Sequence, residues 1–136
     1  MTLVMTKDIG SEWDRHASKW TRRWRVSMEA RRRVYRPHID SENSLCSKIE
    51  QNTSDEHCLQ EMLKDVHMLD AAIATDKCIV SLDDRARDLF AAASNGIGEL
   101  RNVVWVNPIE ERVMEPIEWL LNGAEAEAVY SLQNFK

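Results

Sequence analysis

The chain has 136 residues, the size of one ordinary domain able to bury one core. Its apolar and charged fractions, 43% and 30%, exclude a disordered or fibrous class, and no run approaches the roughly 18–20 apolar residues of a membrane span. The net charge of −5 hides an asymmetry: residues 1–37 hold ten Lys/Arg against four acids, and residues 38–136 hold eight against nineteen.

The basic part suits phosphate, and the acidic part suits cations or a basic partner; equally, the two parts can answer each other within one fold. The N-terminus has no signal-peptide pattern. Cys46, Cys58 and Cys78 show no CxxC spacing, which points away from a disulfide framework and from a thiolate zinc site. A cytoplasmic, reducing setting without membrane contact is expected.

In chain order, "TLVMT" reads as a short buried strand, and Asp8 or Ser11 offers a helix start. Trp13, Ala17, Trp20, Trp24 and Met28 then form one stripe at helical spacing, the pattern of a core-facing helix. Arg15, Lys19, Arg22 and Arg33 fall on the opposite side, and Pro37 ends the element. Residues 38–57 are polar and loop-like, with one short helix around Leu45–Ile49. "TSDE" supplies caps for a helix from about Asp55, which "DVHMLDAAIATD" continues or restarts with Leu69, Ala72 and Ile73 inward.

"KCIVSL" reads as a strand buried on both faces. "DDRARDLFAAASNG" reads as a helix with Asp83 near its start and Gly96 as its stop. "NVVWV" is another strand. The last helix pattern opens on Asn107 as cap, Pro108 and Glu110, is interrupted or restarted at Pro116, and closes on Gly123. Alternating strands and helices predict one α/β domain, a three-layer α/β/α sandwich with a short, mainly parallel sheet. Ligands of such sheets sit beyond the carboxyl ends of the strands, which brings Thr6–Glu12, Ser81–Asp84 and Asn107–Glu111 to one edge.

Two readings compete for the acids in these segments. Taken singly, Asp83 is a good N-cap, Asp84 suits a first turn, and Asp65 and Glu12 can start helices the same way. Taken together, carboxylates converging from different elements are the hard oxygen donors that Mg²⁺ or Mn²⁺ takes, as phosphodiester cleavage requires.

The stretch "DVHMLDAAIATDKCIVSLD", residues 65–83, resembles the C-terminal half of a PIN domain. An acid precedes an alanine-rich helix, a short apolar strand follows, and Ser, one residue, then Asp closes it. "TLVMTKDIGSEW" is similar to the family's earlier strand–Thr–helix segment, with its acid on Glu12, and "VVWVNP" to its late strand. The resemblance spans most of residues 2–108. It implies a metal-dependent ribonuclease, a family often met as the toxin of a toxin–antitoxin pair, so RNA and an antitoxin-like protein are the expected partners. Glu12, Asp65 and Asp83 would be the Mg²⁺ or Mn²⁺ ligands and catalytic acids, with Ser81 a polar neighbour and Asp84 a weaker candidate.

The chain departs from the family at its start, which falls where the second strand would lie. The first strand and its aspartate are missing from the pattern, so an N-terminally truncated domain is expected. The site is then short of one acid, or a second chain supplies the strand. An uncovered sheet edge invites dimerisation, and a homo-oligomer is expected.

The remaining features are weighed on the same terms. Arg15, Lys19, Arg22 and Arg23 are the candidate RNA-backbone contacts, against a simple solvated face, while the tryptophans read as core. His67, two residues from Asp65, does not share its helical face. His16, His38 and His57 show no ligand spacing, and no glycine-rich phosphate loop or nucleophilic cysteine arrangement occurs. The expected function is a PIN-type RNA phosphodiesterase, whole or degenerate; the alternative is a non-catalytic PIN-like remnant that binds protein or RNA.

Overall fold

The computed structural model describes residues 1–40, 42, 44–109, 116–124 and 127–135. The first strand, β1, is Leu3–Val4. Thr6 stops it and caps the helix α1, Lys7–His16, its hydroxyl accepting the Ile9 N–H at 3.2 Å. The chain then breaks at Ala17, and Ser18 caps a second helix, α2, Lys19–Ala30, by accepting the Thr21 N–H at 3.2 Å.

This break overturns the single stripe expected over residues 13–28. A continuous rotation of 100° per residue no longer links Trp13 to Trp20, so the two need not share a face. Trp13 and Trp24 still meet, with ring centroids 5.9 Å apart, and Met28 is buried. Trp20 is 71% exposed, so it is not a core residue.

Nor does the helix run to Pro37. Arg32 takes a left-handed conformation, φ 57°, which turns the chain into β2, Val34–Tyr35. β2 pairs in parallel with β1, Leu3 opposite Val34 and Val4 opposite Tyr35.

Next come α3, Cys46–Asn52, and α4, Glu56–Ile73. Asp55 caps α4 through a 2.8 Å bond from the Cys58 N–H. α4 is continuous, so Asp65 lies inside a helix rather than at a start. Met62, Val66, Leu69 and Ala72 are its buried stripe. Asp70 accepts from the Ser44 hydroxyl at 2.9 Å and the Leu45 N–H at 3.0 Å, tying the entry of α3 to α4.

β3, Cys78–Val80, pairs in parallel with β4, Val104–Val106, across a crossover containing the helix α5, Asp84–Ala93. β4 is buried along its length, and Val104 also bridges Ser131 near the C-terminus. α5 ends before Gly96, at Ser94, whose N–H bonds to the Phe90 and Ala91 carbonyls. At Gly96 the side-chain amide of Asn52 occupies the space that a Cβ would take. The last helix, α6, Pro116–Leu121, is followed by Gly123 in a left-handed conformation, φ 100°. Asn107 makes a local turn, its Oδ1 accepting the Ile109 N–H at 3.1 Å; residues 110–115 of the expected helix lie outside the described residues.

The class is therefore mixed α/β with parallel strand pairing. Two separate two-stranded sheets, β1–β2 and β3–β4, stand where one sheet was expected among the described residues. α4 packs against α1, α3, α5 and β3, so it connects the two parts. The main core gathers Ile49, Leu69, Phe90, Leu100, Trp105 and Leu132, and a smaller one holds Val106, Trp119 and Tyr130. Among the described residues, no helix is long and apolar enough to cross a membrane.

Candidate functional site

Asp65 and Asp83 line one cleft of about 250 Å³, with Glu61, Lys64, Arg85, Ala86 and Leu89. α4 brings Asp65 and, one turn earlier, Glu61 on the same helical face. The exit of β3 brings Asp83, which caps α5.

Asp65 is half-buried and makes no hydrogen bond or ion pair among the described residues. Burial, then the Asp83 carboxylate, hold its carboxyl above the ordinary range; His67 and Lys64 pull downward, and Glu12 adds to the rise. Asp83 and Glu12 are thus both within electrostatic reach of Asp65.

They are not equally available. Asp83 Oδ1 accepts the Ala86 N–H at 2.8 Å, and its own N–H donates to Ser81 Oγ at 3.1 Å. Its second oxygen makes no hydrogen bond among the described residues. Glu12 is held on its own helix by Arg15 at 2.6 Å and stands 3.5 Å from His16 Nε2. It adds negative potential without lining the cleft. Asp84 turns the other way, accepting Asn107 Nδ2 at 3.0 Å and pairing with Arg87 at 3.1 Å. It braces the carboxyl ends of β3 and β4.

Glu61 went unread in the sequence, although its four-residue spacing from Asp65 was the signal for it. It pairs with Arg85 at 3.2 Å and stands 3.2 Å from His57 Nε2. His67 lines a different hollow, with Lys7, Asp8, His38 and Asp70.

Among the described residues, no three His, Cys, Asp or Glu side chains are placed to hold one ion between them. Mg²⁺, however, keeps several waters and commonly binds through one or two carboxylates plus substrate phosphate. Asp65 and Asp83, which line one cleft, supply two carboxylates there and no dehydrated cage among the described residues.

The four predicted RNA contacts are all exposed, on α1 and α2. Arg15 is paired with Glu12, and Arg22 donates to the Asp14 carbonyl at 3.2 Å. Lys19 and Arg23 have no ion pair among the described residues. Every ion pair of residues 1–37 among the described residues is local: Arg15 and His16 with Glu12, Arg25 with Asp14, Arg36 with Glu29. Among the described residues, the basic and acidic parts do not neutralise each other by direct contact.

No protein-family model, no curated protein and no solved structure matches this chain.

Proposed function

We propose that the chain is a metal-dependent RNA phosphodiesterase of the PIN type, with its cation held weakly in the cleft between α4 and the start of α5. The observation that carries this reading is Asp65, a half-buried carboxyl without a bonding partner among the described residues, whose ionisation is opposed by burial and by a second acid across the cleft. A cation held beside Asp65 would relieve that repulsion. Bound there, Mg²⁺ or Mn²⁺ supplies Lewis-acid charge to a phosphodiester. Asp65 and Asp83 Oδ2 hold the ion, Glu12 deepens the negative field, and Arg85, anchored by Glu61, borders the cleft as a fixed positive group. Arg15, Lys19, Arg22 and Arg23 hold the RNA backbone. The same reading makes the fold PIN-like, with helices layered on both sides of the strands.

A second reading has a specific observation in its favour. Asp83 already serves as a helix cap and Glu12 already has Arg15 and His16. On this reading the domain is a non-catalytic remnant, its acidic part contacting a basic partner such as an antitoxin-like protein, or a second copy of the chain.

Titration of the purified chain with Mn²⁺ separates the two. The first reading expects saturable binding that Asp65→Asn removes while the fold is retained. Binding unchanged by Asp65→Asn, or none, favours the second.

A further inference from the structure

Trp20 is the residue whose placement the proposed chemistry leaves unused. Of the five tryptophans, Trp105 and Trp119 are fully buried, Trp13 and Trp24 pack on each other, and Trp20 alone is exposed. A single exposed apolar side chain means little by itself. Here it has company. Lys19, Arg22, Arg23 and Val26 are exposed on the same helix, and Arg31, Arg32 and Arg33 follow at its end. Arg23 lies three residues from Trp20, close enough on a helix surface to be its direct neighbour. The nearby acids do not cancel this charge: Asp14 faces Arg25, and Glu29 faces Arg36. Lys19, Arg23 and Arg31–Arg33 have no ion pair among the described residues.

We infer that the exposed face of α2 is a binding platform for single-stranded RNA, with Trp20 stacking on a base while Lys19 and Arg23 contact flanking phosphates. Flat aromatic surface beside unneutralised bases is the chemistry that recognises a polyanion carrying unpaired rings. A duplex hides its base faces and offers Trp20 nothing. A lipid surface fits less well, because the large exposed apolar side chains of α2 are only Trp20 and Val26, with Arg22 and Arg23 between them in sequence. An interfacial helix needs a continuous apolar face, and on α2 the inward residues Trp24 and Met28 are already packed. This deepens the RNA-cleaving reading and rests on it for its role, supplying the strandedness of the substrate, but the contact itself needs no metal.

The test is fluorescence anisotropy of a labelled oligouridylate about twelve nucleotides long, in EDTA over a range of NaCl. The same length of RNA duplex, and vesicles of phosphatidylcholine with phosphatidylserine, serve as competing probes. Binding is expected to be selective for the single strand and to weaken about tenfold in Trp20→Ala. Trp20→Phe keeps a stacking ring and is expected to restore most of it. Lys19→Ala and Arg23→Ala should each flatten the salt slope by about 0.7. Equal binding by Trp20→Ala and the native chain, equal affinity for duplex, or vesicle binding without RNA binding overturns the platform. RNA bound through Trp20 but never cleaved sinks the phosphodiesterase alone, and RNA cleaved without Trp20-dependent binding sinks the platform alone.

Discussion

Asp83 commits one carboxylate oxygen to the first turn of α5, yet its charge still opposes the ionisation of Asp65 across the cleft. One residue thus serves as helix cap and as half of an acidic pair. The two readings of the sequence, structural and metal-binding, are not exclusive at this position. Oδ1 meets the first and Oδ2 is available for the second.

That division makes Asp83→Asn and Asp83→Ala different experiments. Asparagine caps about as well as aspartate, so Asp83→Asn should leave stability nearly unchanged while removing the charge. Asp83→Ala should lose about 1 kcal/mol with the cap. Urea midpoints of the two variants check this, and equal destabilisation would contradict it.

Asp65 gives a pH dependence whose sign follows from proton counting. Its folded carboxyl titrates above the ordinary value of 3.8, so between that value and the raised one the folded chain binds more protons than the unfolded chain. Stability therefore falls as pH rises through this window and stays at the lower level above it. Asp65→Asn should be more stable than the native chain near neutral pH, and the gain should vanish once Asp65 is protonated in both states. Added Mg²⁺ should narrow the gap by stabilising the native chain alone. Unfolding curves on either side of the window, with and without the ion, are the measurement.

Cys78 should be chemically silent. Burial, and then the neighbouring Asp76 carboxylate, push its thiol up to about 12. At mildly alkaline pH its thiolate fraction is on the order of one in ten thousand, so alkylation should be slow until the chain unfolds. Mass spectrometry of pulse-alkylated native and denatured protein reads this directly. Rapid native labelling at Cys78 would show that its thiol is more accessible than its partial burial in β3 implies.

In the core, the rings of Phe90 and Trp105 pack at a tilt with centroids 6.1 Å apart, both fully buried. Phe90→Ala should destabilise by about 3–5 kcal/mol. Trp105 behaves differently, because its buried Nε1–H has no hydrogen-bond partner among the described residues. Trp105→Phe leaves a smaller ring but removes that unsatisfied donor, and should cost no more than about 1.5 kcal/mol. Thermal or urea unfolding distinguishes the two.

Much of the second half of the chain was legible because its signals are local. The apolar runs at Cys78–Val80 and Val104–Val106, the cap at Asp83 and the capping group before α4 each act within a few residues, and the strands and helices stand where those signals put them. The N-terminal part was misread at two points, one local and one long-range. Ser18 is a good cap inside an otherwise continuous stripe, and periodicity gave no reason to prefer the cap. Val34–Tyr35 is too short for a strand pattern and is set among arginines; its pairing with β1 is a long-range fact.

The candidate site divides the same way. Asp65 and Asp83 were joined only through the resemblance, and they share a cleft although Asp65 lies inside α4 and not at its start; the local pairing of Glu12 with Arg15 depends on rotamers that sequence does not carry. Charge asymmetry was visible at once, but only the folded chain reveals that the basic residues pair among themselves with Asp14, Glu12 and Glu29, leaving the exposed face of α2 positive.

The central claim is tested most directly by incubating a labelled single-stranded RNA with Mn²⁺ and the native, Asp65→Asn and Asp83→Asn chains. The account predicts cleavage that requires the ion and is lost in both variants, each still folded by circular dichroism. Absence of cleavage by the native chain, or cleavage that persists in both variants, would contradict it.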